Sequence, residues 1–161
     1  MVKKTGFSLI ELTVVIGLLT LLMLAISGVM LMSIISSNRI RSATKTKQAG
    51  SYVINQMQTM IRNARSIESC TAPSTMVINN IDGKSTTFLP ESNGSYTRIA
   101  SNSGTYLTPD YIDAQNLSIT CSPATNPNLV ELSFDLQSTR AARATENPLL
   151  HFETSITLRN Q

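Results

Sequence analysis

Met1-Val-Lys-Lys-Thr-Gly6-Phe7-Ser-Leu-Ile-Glu11-Leu-Thr-Val-Val-Ile-Gly-Leu-Leu-Thr-Leu-Leu-Met-Leu-Ala-Ile26 is the stretch that decides the architecture. Lys3 and Lys4 lead into an apolar run that holds a single acid. The 24 residues at positions 12–35 carry no charge. As a helix they measure about 36 Å, enough to cross a hydrocarbon core of roughly 30 Å. A cleaved secretory signal has a shorter apolar core, about 7–15 residues, closed by small residues at the cut. This run is longer and ends without such a site. An ordinary signal anchor accounts for the hydrophobicity and leaves Glu11 unexplained.

A third kind of segment accounts for both. Residues 1–35 resemble the N-terminus of type IV prepilins. In that family a short basic leader ends in Gly, Phe follows, and Glu is the fifth residue after the cut. Lys3, Lys4, Gly6, Phe7 and Glu11 fill those positions. The resemblance implies that a prepilin peptidase cleaves between Gly6 and Phe7 and methylates the new amine of Phe7. It implies assembly through the apolar helix, with Glu11 and Phe7 in the subunit contact. The partners are then other pilin or pseudopilin subunits, an assembly platform protein and membrane lipids. The chain would be a single-pass inner or cytoplasmic membrane protein, N-terminus cytoplasmic and head exported, and later part of a periplasmic or cell-surface filament.

The chemistry of Glu11 is arguable without the family. An acid at the centre of a membrane helix costs roughly 2.5–3.5 kcal/mol on insertion scales, and less near the interface, where Glu11 falls. One use is a capping box, Ser8-x-x-Glu11, contributing on the order of 1 kcal/mol. The other is a cationic partner. Cleavage after Gly6 frees an α-amino group on Phe7 whose reference pKa is about 8. In a low dielectric a carboxylate and an ammonium attract strongly, so a neighbouring subunit's Phe7 amine would neutralise Glu11.

The remainder divides as residues 36–67, an amphipathic continuation of the helix, and residues 68–161, a β-rich head. Within the 161 residues this leaves room for one small core beyond the anchor. Apolar residues at Ile40, Ala43, Val53, Met57, Met60, Ile61, Ala64 and Ile67 fall near helical spacing, predicting one helix from about residue 8 to 67. Many pilins carry a proline midway along this helix; here Ser27-Gly28 stands in that region. Charge is uneven. Arg39, Arg41, Lys45, Lys47, Arg62 and Arg65 occur with no acid between them, whereas from Ser66 onward nine acids face five bases.

Thr75 to Ile81, Asp82-Gly83 and Lys84 to Leu89 read as a hairpin, and Tyr96 to Ala100 with Thr105 to Leu107 as a second. Leu117, Ile119 and Cys121 alternate. So do Val130, Leu132, Phe134 and Leu136, and Leu150, Phe152, Ile156 and Leu158 with a polar gap at Thr154. These three runs predict an antiparallel sheet packed on the helix. Ser138 to Pro148, with Arg140, Arg143 and Glu146, reads as a polar, exposed and mobile connector. The fold class is α+β, pilin-like, and three late strands closing on Leu158-Arg-Asn160 resemble minor pilins and pseudopilins more than major pilins.

The two cysteines, Cys70 and Cys121, are either free buried thiols or one disulfide; an exported domain meets oxidising surroundings, which favours the disulfide. Two cysteines with His151 make no recognisable metal site, and His151 reads as an outward strand residue. No phosphate loop, HExxH or nucleophile elbow occurs, so the chain reads as no enzyme and calls for no cofactor. Asp110-Tyr-Ile-Asp113 beside Pro109 reads as a turn in preference to a calcium site. The basic belt at Arg39 to Lys47 suits anionic headgroups or acidic heads of neighbouring subunits; nucleic acid is a possible ligand that the pattern does not support. The resemblance implies a minor pilin or pseudopilin of a type IV pilus, a type II secretion system or a competence pseudopilus. The alternative is a solitary membrane-anchored surface protein that binds a ligand or DNA.

Overall fold

The computed structural model describes residues 6, 8–71, 74–102, 104–123, 127–140 and 147–158. Lys3, Lys4, Phe7, Arg143, Glu146, Arg159 and Asn160 lie outside them. The fold is α+β. One helix, α1 (Leu9–Arg62), precedes antiparallel strands β1 (Ser66–Thr71), β2 (Thr75–Asn79), β3 (Ser85–Asn93), β4 (Tyr96–Ser101), β5 (Ile112–Ser122), β6 (Leu129–Ser138) and β7 (Leu150–Thr157). The chain divides into two units, Met1–Asn38 and Arg39–Gln161, and all these strands belong to the second.

In the second unit α1 buries Thr46, Ala49, Gly50, Val53, Met57 and Ile61. Their spacing of three and four keeps them on one stripe. Ile40, expected on that stripe, is 62% exposed. The helix ends five residues earlier than the spacing of Ala64 and Ile67 predicts. The Ala64 N–H turns back to Ile61 at 3.2 Å, and the Arg65 N–H donates to Asn79 of β2 at 2.7 Å. Once Arg65 has a strand partner, residues 66–71 pair with β2 and α1 cannot continue. Cys70 is therefore a strand residue.

The strands form two sheets, ordered β1-β2-β3-β4 and β5-β6-β7. The β2–β3 hairpin turns where Asp82-Gly83 predicts, with Gly83 at φ 80° and the Lys84 N–H on the Asp82 carboxylate at 3.0 Å. The second hairpin is only half present. β4 pairs along β3 from Phe88 to Asn93, while Thr105 to Leu107 add a lone bridge, Ala100 to Tyr106. The arm is held to β4 by single bonds: the Ser101 N–H donates to the Thr105 carbonyl at 2.8 Å and the Leu107 N–H to the Ile99 carbonyl at 2.7 Å, while the Thr108 hydroxyl accepts from the Ile99 N–H at 3.2 Å and its carbonyl from the Arg98 guanidinium.

β5, β6 and β7 make the predicted three-stranded sheet. Val130, Leu132, Phe134 and Leu136 of β6 point inward and are buried, as are Ile119 of β5 and Ile156 of β7. The polar gap at Thr154 has a partner from the helix: Gln58 Nε2 donates to its hydroxyl at 2.9 Å. Phe152 stacks on Phe134, ring centroids 5.4 Å apart. Helix and both sheets share one apolar core.

Candidate functional site

The first unit holds the predicted site at its start. α1 opens at Leu9, and the N–H groups of Glu11 and Leu12 both donate to the Ser8 carbonyl, at 3.1 and 3.2 Å. The capping box is thus not made: the Ser8 carbonyl, not its hydroxyl, takes the Glu11 N–H. Among the described residues the Glu11 carboxylate, which is exposed, has no hydrogen-bond or ion-pair partner. Gly6 is described and exposed; Phe7 lies outside the described residues, so the spacing between its amine and Glu11 is not part of the geometry.

Around Glu11 the helix is apolar on every side. All its large apolar side chains from Leu9 to Ile35 are at least 36% exposed, so none is covered by the chain's own core. A helix that is hydrophobic all round needs a lipid or a protein environment. By length and composition α1 can cross a membrane. Its hydroxyls are adapted to such surroundings. Thr13 donates to the Ile10 carbonyl at 2.9 Å, Thr20 to Gly17 at 2.8 Å and Ser27 to Met23 at 2.8 Å, so these polar groups carry their partners with them. The helix runs through Ser27-Gly28 without interruption.

The second unit positions the other candidates. Cys70 of β1 and Cys121 of β5 form a disulfide, which joins one sheet to the other. Asp110 and Asp113 do not converge: Asp110 pairs with Arg140 at 2.9 Å, and Asp113 accepts from the Thr97 N–H at 2.8 Å and from Gln115. The Ile112 N–H closes a turn on the Pro109 carbonyl at 3.2 Å. No His, Cys, Asp and Glu cluster with metal-binding geometry occurs among the described residues.

His151 points outward, 60% exposed, and its Nδ1 lies 2.6 Å from Asp135. Asp135 also accepts from Asn116 Nδ2 at 2.8 Å. These two contacts, the Asn116 amide foremost and then His151, hold the Asp135 carboxyl below the usual carboxylate range, although partial burial opposes them. This pairing escaped the sequence because the 11 residues between β6 and β7 carry no Asn-Gly or Asp-Gly hairpin signature from which the register could be read. Its sign is definite. A folded-state pKa below the unfolded value gives stability that is complete above about pH 4 and is lost as pH falls through the folded value. Asp135→Asn should therefore flatten the acid limb of the stability curve. Urea midpoints between about pH 5 and 2.5 check it, and curves that fall in parallel for both chains would contradict it.

The fold and site define a class: an apolar helix bearing one acid at its start, leading into a disulfide-linked two-sheet head. Compared with protein-family models, curated proteins and solved structures, the chain matches none.

Proposed function

We propose that the chain is a structural subunit, a minor pilin or pseudopilin, of a type IV filament-like machine. In this proposal a prepilin peptidase cuts between Gly6 and Phe7 and methylates Phe7. The helix then leaves the membrane for a bundle of like helices. The observation that carries the reading is Glu11, an exposed carboxylate without a partner among the described residues, in the first turn of a helix that is otherwise apolar on all faces as far as Ile35. An acid kept in that setting is costly unless a cation arrives. The N-terminal amine of the next subunit is a cation at the right end of the helix. The disulfide supports export of the head, since such bonds persist in oxidising compartments. It supports that orientation against the simple distribution of cations, which places Lys3 and Lys4 before the apolar run and Arg39, Arg41, Lys45 and Lys47 after it.

The test is Glu11→Ala in the native cell envelope. A hydrogen bond to a charged group contributes about 1.5–3 kcal/mol, so incorporation into filaments or subunit complexes should fall about tenfold or more, at unchanged chain level and membrane insertion. A solitary anchor would tolerate the change. The surface form should also begin at a methylated Phe7; an intact mass that still includes Met1 would remove the prepilin reading.

A further inference from the structure

In the second unit, the part of α1 that packs on the sheets has an outward face with no partner. Arg41, Lys45 and Tyr52 succeed one another at one- and two-turn intervals, away from the buried stripe. All three are exposed, Tyr52 to 53%. Among the described residues, neither Arg41 nor Lys45 has a carboxylate within ion-pair distance. The charged residues of this face are cations only.

The opposite pattern lies on the outer face of the β5-β6-β7 sheet. Glu131 and Glu153 flank an open groove of about 550 Å³ whose walls include Ser118, Thr120, Ser133 and Ser155. Among the described residues of these three strands there is no Lys or Arg. Glu153 is 83% exposed, and among the described residues its ion-pair partner is His151 at 3.9 Å; Glu131 accepts from Thr120 at 3.4 Å. Glu131 stands opposite Ser155, and Glu153 opposite Ser133, so the two carboxylates are diagonal neighbours. Such neighbours lie about 7–8 Å apart at Cα, and two helix residues one turn apart have Cβ atoms about 5–6 Å apart. With long side chains on both partners the two spacings match.

We propose that the Arg41–Lys45–Tyr52 face of α1 docks on the outer face of the β5-β6-β7 sheet of a second copy of this chain, Arg41 and Lys45 meeting Glu131 and Glu153. The chain cannot make this contact with itself. Its own helix covers the inner face of that sheet, through Gln58 on Thr154 and the backbone of Gly50 on Phe152. One copy's free helix face and the next copy's free sheet face give a head-to-tail contact, the kind that builds an open filament when its rotation does not close into a ring. The inference rests on the subunit reading above and names the surfaces that reading needs.

The experiment is a charge swap on the processed chain, beginning at Phe7, in nonionic detergent, with self-association followed by cross-linking and sedimentation. Arg41→Glu with Lys45→Glu should weaken association about tenfold or more at low salt, because like charges then meet. Adding Glu131→Lys and Glu153→Lys to the same chain should restore it. All four positions are exposed, so the fold tolerates the changes, and an unchanged urea midpoint verifies that. Failure of the swap to restore association overturns the pairing. So does a helix variant that loses only its affinity for phosphatidylglycerol vesicles, which would make the face a lipid contact. Glu11→Ala, measured alongside, separates the two ideas. If it alone lowers association, the filament reading stands without this docking face; if neither change matters, both fall.

Discussion

Replacing Cys70 and Cys121 together by serine lowers the unfolding free energy of the oxidised chain by about 4 kcal/mol, the largest single loss expected for a change outside the apolar core. The estimate follows from the loop the bond closes. The cysteines are 51 residues apart in sequence, and the chain-entropy relation gives about 4 kcal/mol for a loop of that size. Domain stabilities run from about 5 to 15 kcal/mol, so most of the reserve of a small head is at stake. The position of the bond adds to the argument. β1 and β5 lie in different sheets with no ladder hydrogen bonds between them, and the cross-link holds their edges together. β4 also meets β5 through Thr97 and Asp113, so the variant should still fold. It should unfold at a lower urea concentration with a broader transition between the sheets. The measurement is the urea midpoint of the full chain in detergent, wild type against the double variant. A midpoint that does not move would mean that the closed loop constrains nothing.

Cysteine pairing was legible because two thiols leave only one disulfide or a pair of free thiols. The helix, the β2–β3 hairpin and the three late strands were legible for a different reason: each repeats a period along the chain. The losses fall where a period is broken by a contact from elsewhere. β5 is the clearest case. Leu117, Ile119 and Cys121 alternate, but Ile112 and Ala114 are buried in the opposite phase. The phase slips at a bulge, where the pairing jumps from Gln115 to Ser118. Asn116 takes φ 53° there, a conformation asparagine tolerates better than most residues, and it spends its side chain on Asp135. Reading Asn116 as a bulge residue would have doubled the length of the predicted strand. β1 was missed because Ala64 and Ile67 extend a helical pattern by chance. The bond from Arg65 to Asn79, fourteen residues further on, stops it.

The candidate site divides in the same way. Gly6, Phe7 and Glu11 stand out because residue type and offset alone carry the signal. Glu131 and Glu153 do not, since neighbours across a ladder are invisible until the register is known. The candidate residues at the helix start are legible in one dimension, whereas those on the sheet depend on the pairing of β6 with β7.

Gly50 gives the second large effect and ties the helix to that pairing. A Cβ at Gly50 would lie 2.2 Å from Cζ and 2.3 Å from Cε1 of Phe152, far inside the contact distance of about 3.5–4.0 Å between carbons. The ring cannot withdraw freely, because it stacks on Phe134, which is fully buried. Glycine costs a helix about 1 kcal/mol relative to alanine, so an ordinary helical glycine is stabilised by Gly→Ala. Gly17 and Gly28 have nothing within 4 Å of an added Cβ and belong to that ordinary kind. At Gly50 overpacking of about 1–3 kcal/mol opposes the gain. Gly50→Ala should lose about 1–2 kcal/mol and Gly50→Val, larger and β-branched, about 3 kcal/mol. The decisive measurement is a double-mutant cycle. With Phe152→Ala already in place the space opens, and Gly50→Ala should change sign and stabilise the head by up to about 1 kcal/mol. If Gly50→Ala destabilises equally in both backgrounds, the ring is not what excludes a side chain there. The close seating of α1 on β7 would then have to come from another contact.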